Sequence, residues 1–301
     1  MKKFKLIILS LVAVVFVSCG TSNTVPITGR KQNLMVSDGD ILALSTQQYQ
    51  EFMSSAKLST NQANTAMVKR VGQNLANAVN NYLTAAGLQN DLQYYKWTFN
   101  LVQDKQVNAW CMPGGLICVY EGILPVTQDE ASLAIVLGHE IAHAVARHSA
   151  EQMSTQIKQQ YGLQIGAAVL GGLGMGSNTT SILQAIAAQG FNFKNLSYSR
   201  NHENEADHMG LIFAAMAGYD PNSALTFWQR MAASSNNKTS EFLSDHPSDA
   251  TRIKNIQGWM PEALKYYKPA TTQKTTTTQK AATTKKATTT TKKVTTTKKK
   301  K

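Results

Sequence analysis

Residues 133–148 read Leu133-Ala134-Ile135-Val136-Leu137-Gly138-His139-Glu140-Ile141-Ala142-His143-Ala144-Val145-Ala146-Arg147-His148, and the reading of this stretch decides the fold. An apolar run leads into the pattern H-E-x-x-H. On a helix, positions i and i+4 share one face, so His139 and His143 can reach a single ion while Glu140 lies beside them. The apolar flank buries the front half of the helix, and a low-dielectric site strengthens an ion's field on bound water. The bland alternative, two histidines and a glutamate on a partly exposed face, fits an apolar helix poorly. Thr127 and Glu130 form a capping-box pattern ahead of it. With Gly138 as the sole breaker, the helix is predicted to run through His148 towards Glu151.

A catalytic zinc takes three protein ligands and keeps one position open. Within Asn195-Leu196-Ser197-Tyr198-Ser199-Arg200-Asn201-His202-Glu203-Asn204-Glu205-Ala206-Asp207, the carboxylates Glu203 and Asp207 stand at i and i+4. One can ligate while the other sits behind, accepting a histidine ring N–H and fixing its tautomer. His148, five residues past His143, is turned off the ligand face. A metzincin needs Gly and His at the third and sixth positions after His143, where Ala146 and Ser149 stand, so that class is excluded.

Outward from this centre the pattern is mainly helical with a little sheet. Residues 38–83 are predicted helical, 94–102 a strand, and 108–120 two short strands around Pro113-Gly114-Gly115. A helix is expected over 203–217, ending at Gly218, and Asp220-Pro221 opens another containing Leu225, Phe227, Trp228 and Met231. The glycine-rich residues 162–176 read either as a mobile lid beside the cleft or as a tightly packed small-residue helix pair. No repeat of solenoid length occurs.

The net charge of +12 over 301 residues is misleading until it is located. Ten lysines and no acid follow Pro269, and Lys2, Lys3 and Lys5 open the chain. Without these thirteen, seventeen of the 30 basic residues remain against 18 acids, so the globular part is not basic. The Thr/Lys-rich tail, 269–301, lacks the apolar residues to order itself. It also lacks interleaved aromatics, so a nucleic-acid platform is not expected. Either it is a solvated extension, or it binds anionic envelope polymers by charge. Lys2, Lys3, Lys5 and the apolar run Leu6–Val17 read as an export signal, residues 1–18. Phe16-Val17-Ser18-Cys19-Gly20 is similar to a bacterial lipobox, with Phe16 where Leu is commoner. That resemblance implies acylation of Cys19 and anchoring of a polar lead-in, 19–36, to a membrane through lipid. Cys111 and Cys118 flank the predicted turn, and a disulfide and two free buried thiols both fit.

Five spaced motifs carry a closer resemblance: Val25-Pro26-Ile27-Thr28-Gly29-Arg30; Asn108-Ala109-Trp110 with Pro113-Gly114-Gly115; His139-Glu140-x-x-His143 with Arg147-His148; Ser199-Arg200-x-x-Glu203-x-Glu205-Ala206-Asp207; and His246-Pro247 with Arg252-Ile253. In order and content they resemble the HtpX and CAAX-prenyl-protease family of gluzincin zinc peptidases, in its soluble periplasmic lipoprotein branch. Cys111 and Cys118 stand where that hairpin is usually apolar. The resemblance implies an α+β, mainly helical zincin-like domain, residues 37–268, with a small sheet whose edge strand flanks the active-site helix. It implies one Zn2+ per chain held by His139, His143 and Glu203, supported by Asp207 and Arg200. Glu140 is then the general base, and His246 either stabilises the oxyanion or caps the zinc at rest. The strand of Leu116, Ile117, Cys118, Val119 and Tyr120 is expected to bind substrate by strand addition. Main-chain binding suits unfolded or misfolded envelope proteins, which points to quality control at the outer membrane, facing the periplasm. Two rivals stand: a non-catalytic chaperone using the same cleft, and an envelope-binding lipoprotein acting through its tail.

Overall fold

A computed structural model describes residues 21–170, 186–188, 190–234, 242, 246 and 250–269. The export signal, Cys19, the tail beyond Pro269 and residues 171–176 of the glycine-rich stretch lie outside these. A hairpin of β1 (Thr21–Thr24) and β2 (Lys31–Leu34) opens the fold. Helices α1 (Asp38–Ser55) and α2 (Gln62–Ala85) follow, then strands β3 (Thr98–Val102), β4 (Ala109–Met112) and β5 (Leu116–Tyr120). The rest is helical: α3 (Glu130–Val145), α4 (His148–Leu170), α5 (Arg200–Met216), α6 (Ser223–Ser234) and α7 (Ala250–Tyr266).

The three-stranded sheet has the order β3-β5-β4, with β3 parallel and β4 antiparallel to β5. Every residue of β5 is buried, because helices cover both faces of the sheet. Ile117 and Val119 join the core under α2, α3 and α5. Leu116, Cys118 and Tyr120 face the opposite cluster, with Ile41 of α1 and Met153 of α4. This explains a continuous Leu-Ile-Cys-Val-Tyr run where a half-exposed strand would alternate. It also corrects the expectation that Leu116–Tyr120 receives substrate: β5 is central, and its ladder groups are taken on both sides. The edges belong to β3 and β4. That of β3 is covered, with Ser59 N–H donating to Leu101 O at 2.9 Å and Gln103 N–H to Lys57 O at 2.7 Å. The edge strand packed on α3 is β4.

The register settles the cysteines. Cys111 is opposite Ile117, and Trp110 is opposite Cys118. With a side-chain period of two, the two thiols lie on opposite faces of the sheet, in separate clusters, and both are free and buried.

Two local expectations about α3 shift. The cap is Asp129, whose carboxylate accepts from Ser132 N–H at 2.7 Å, while Thr127 donates to Leu124 O and closes the preceding turn. The helix also stops at Val145 rather than continuing to Glu151. Arg147 takes φ 54°, a left-handed conformation that ends one helix and opens α4. Its guanidinium is drawn away to Asp38 at 3.0 Å and Asp91 at 3.3 Å. Gly138, in contrast, breaks nothing. It lies where α3 crosses α5, and a Cβ on Gly210 would fall 2.6 Å from His139 N. Glycine on both helices lets the backbones touch. Asp207 and Glu203, three and seven residues before Gly210, are thereby brought against His139.

Candidate metal centre

His139, His143, Glu203 and His246 are buried, and one donor atom of each lies within 4.8 Å of all the others. His139 Nε2 is 3.0 Å from His143 Nε2 and 3.1 Å from His246 Nδ1. Glu203 is 3.4 Å from His143 Nε2, 3.6 Å from His139 Nε2 and 3.0 Å from His246 Nδ1. Bonds of about 2.0–2.1 Å to a tetrahedral ion place the donors about 3.3 Å apart, and these separations bracket that value. The protons agree. His139 Nδ1 faces Asp207 Oδ1 at 2.9 Å and His143 Nδ1 faces His148 Nδ1 at 2.9 Å. Each ring then carries its proton on Nδ1 and turns a bare Nε2 inward. Lone pairs so close repel unless a cation lies between them. The donor set fits a borderline divalent ion.

Burial lowers the pKa of His139 and pushes that of His143 well below the imidazole range, against the pull of Asp207 and Glu203, so both rings are neutral. Burial works against ionising Glu203, but His246, His143 and His139 hold its carboxyl far below the ordinary carboxylate range. His246 moves the other way: burial opposes its charge, yet Glu203 and Glu140 raise it. Glu140, 2 % exposed, places Oε1 3.6 Å from His246 Nε2.

Asp207 stands behind His139, whereas Arg200 does not reach the cluster. It is exposed at the first residue of α5, seven residues and roughly 10 Å of helix rise from Asp207. Arg252, which sequence reasoning placed only in a motif, takes that place. Its NH2 donates to Asp207 Oδ1 at 2.6 Å, its NH1 to His246 O at 3.1 Å, and its guanidinium lies 3.5 Å from the centroid of the Trp228 ring. Tyr198 was also missed. Its ring stacks on His143 at 4.0 Å, and its hydroxyl pairs with Ser149 Oγ at 2.8 Å.

Behind His143, His148 Nε2 donates to Glu205 at 2.9 Å. Burial lowers the His148 pKa to about 4. Burial would raise Glu205, but hydrogen bonds from His148, Arg30 and Thr28 hold it at about 2. Both shifts make the fold acid-sensitive. Unfolded His148 takes its proton near 6.5 and folded His148 only near 4, so stability falls as pH drops through that window. The stability Glu205 contributes is complete above its unfolded value of 4.5 and is lost as pH falls towards about 2. Urea midpoints at pH 7, 5 and 3 are expected to decline for the parent. Glu205→Gln should start lower at pH 7 and decline less below pH 4.5.

A helix-borne H-E-x-x-H pair with a carboxylate from a later helix converging on it is the arrangement of a metallopeptidase site of the gluzincin kind. The chain belongs to peptidase family M48, whose model matches residues 62–260. Among its relatives, the mitochondrial metalloendopeptidase OMA1 of Schizosaccharomyces pombe is 39 % identical over 170 residues, 56 % of this chain and 48 % of that protein. Metalloprotease LoiP of Escherichia coli is 28 % identical over 264 residues, 86 % of this chain and 98 % of LoiP. A putative beta-barrel assembly-enhancing protease of Vibrio cholerae is 29 % identical over 184 residues, 58 % of this chain and 36 % of that protein. The chain spans about half the length of the OMA1 proteins of the two yeasts.

Proposed function

We propose that this chain is a zinc-dependent endopeptidase that hydrolyses unfolded or misfolded proteins of a bacterial cell envelope, held at the membrane by lipid on Cys19. The observation that carries the reading is the buried convergence of His139, His143 and Glu203 with Glu140 beside them. Zinc on those three ligands would supply the Lewis acidity that polarises a scissile carbonyl and acidifies a water. Glu140 takes the proton of the attacking water and delivers it to the leaving amine. Asp207 holds His139, and Tyr198 covers one face of His143. Main-chain recognition of an extended substrate falls to the outer edge of β4, since β5 is paired on both sides. Envelope location is supported by the likeness to LoiP over nearly all of its length and by the lipobox resemblance. No helix among the described residues is long and apolar enough to cross a membrane.

His246 completes a fourth donor position, and closed four-ligand sets are typical of structural zinc. His246 is therefore a cap that must swing aside for substrate, after which it can face the oxyanion. The test is cleavage of an unfolded model protein by the full chain, before and after chelation and zinc restoration, beside His246→Ala. Chelation should abolish cleavage, zinc should restore it, and both proteins should bind one zinc. Zinc binding by both with cleavage by neither would replace this reading with a holdase or a structural site.

A further inference from the structure

The two histidines of H-E-x-x-H are backed differently. His139 rests directly on a carboxylate, Asp207. His143 rests on another histidine, and the carboxylate comes one residue further back. His143 Nδ1–H donates to His148 Nδ1 at 2.9 Å, which obliges His148 to carry its own proton on Nε2 and donate it to Glu205 Oε2 at 2.9 Å. Glu205 is held in turn from the N-terminal hairpin: Thr28 Oγ1 donates to Oε1 at 2.5 Å and Arg30 Nε to Oε2 at 2.8 Å.

The hairpin is built to hold those two donors. Val25 N–H donates to Arg30 O at 2.8 Å, and Val25 is 1 % exposed in the main core. Ile27 adopts φ 66°, a costly conformation for a β-branched residue, and its N–H is tied to Tyr82 Oη at 3.1 Å. Arg30 also grips Glu151 with NH1 and NH2 at 2.8 Å each, and Gln32 reaches Ala146 O at 2.6 Å. A strained turn pinned at several points aims Thr28 and Arg30 at one carboxylate.

We propose that Thr28 and Arg30 are positioning residues for the metal centre, fixing the His143 ring through Glu205 and His148 so that Nε2 faces the cavity. This rests on the assignment of His139, His143 and Glu203 as metal ligands. It makes a segment close behind Cys19 part of the apparatus that sets metal affinity, rather than a tether.

The experiment is a zinc titration of the full chain against a competing chelator, which reads the ligand set whether or not the protein cleaves anything. Four proteins form a cycle: the parent, Arg30→Ala, His148→Ala and the double variant. His148→Ala should weaken zinc binding within the roughly 10–100-fold range that loss of a ligand's hydrogen-bond partner costs, and Arg30→Ala should fall in the lower part of that range. In the His148→Ala background, Arg30→Ala should add nothing, because the relay is already cut. Arg30→Lys, which keeps a charge beside Glu205, should recover part of the loss. Parent affinity in a folded Arg30→Ala, or the same loss from Arg30→Ala in both backgrounds, overturns the proposal. If Arg30→Ala does not fold, Thr28→Val, which removes one bond to Glu205, is run through the same cycle. A parent that binds zinc but cleaves nothing refutes the peptidase reading, while the cycle still decides the relay.

Discussion

Glu140→Gln is expected to keep its zinc and lose peptide hydrolysis, by about 100- to 10,000-fold if only general-base catalysis is removed. The geometry separates the two properties. Glu140 is not one of the four converging donors, so zinc content should match the parent. It is nonetheless buried at 2 % exposure, directly after His139 and within 3.6 Å of His246 Nε2, where a proton acceptor can reach an attacking water. Glutamine keeps the volume and the helical preference but cannot hold the proton. The measurement is kcat on an unfolded model protein with zinc content determined on the same samples. Equal turnover by both proteins would remove Glu140 from the mechanism. Loss of zinc from the variant would mean that Glu140 holds the site together instead of acting as its base.

What the sequence made legible was whatever depends on one helix at a time. His139, Glu140 and His143 follow from the 3.6-residue period, and so does the pairing of Glu203 with Asp207 four residues on. His148 was set aside because five residues turn it off the ligand face. The helix stops at Val145, so that rotation does not apply, and the turn at Arg147 puts His148 behind His143 as its hydrogen-bond partner. No period reveals this, because it depends on Arg147 breaking the helix at φ 54°, and on Glu205 and Arg30 arriving from distant segments. The strand order escaped for a similar reason. The Pro113-Gly114-Gly115 turn between two short apolar runs identifies β4 and β5 as a hairpin, but only the parallel pairing of β3 makes β5 central and takes its edge from substrate. The separation of the cysteines was available in principle. Once the three-residue Pro113-Gly114-Gly115 connection fixes the register, Cys111 and Cys118 must point to opposite faces.

Arg252→Met should produce the second large effect, on metal binding and stability together. Arg252 is 3 % exposed and bridges two parts of the centre, donating to the Asp207 carboxylate at 2.6 Å and to the His246 carbonyl at 3.1 Å. Methionine can occupy much of the space over Trp228, so the change is mainly electrical. It leaves Asp207 buried at 6 % exposure without its guanidinium, and removing one partner of a buried ion pair costs about 3–5 kcal/mol. Asp207 then has no fixed orientation from which to hold His139 Nδ1. Loss of such support typically weakens metal binding about 10- to 100-fold. The double variant Arg252→Met/Asp207→Leu separates stability from function. Replacing both members of a buried pair by apolar groups is often neutral for folding, so its urea midpoint should return towards the parent. Its zinc affinity should stay low, because His139 still lacks an acceptor. Recovery of both properties would make the pair a packing feature of α5 and α7. Recovery of stability alone would assign it to the metal, with the family's ligand helix held in register by an arginine that sequence spacing does not expose.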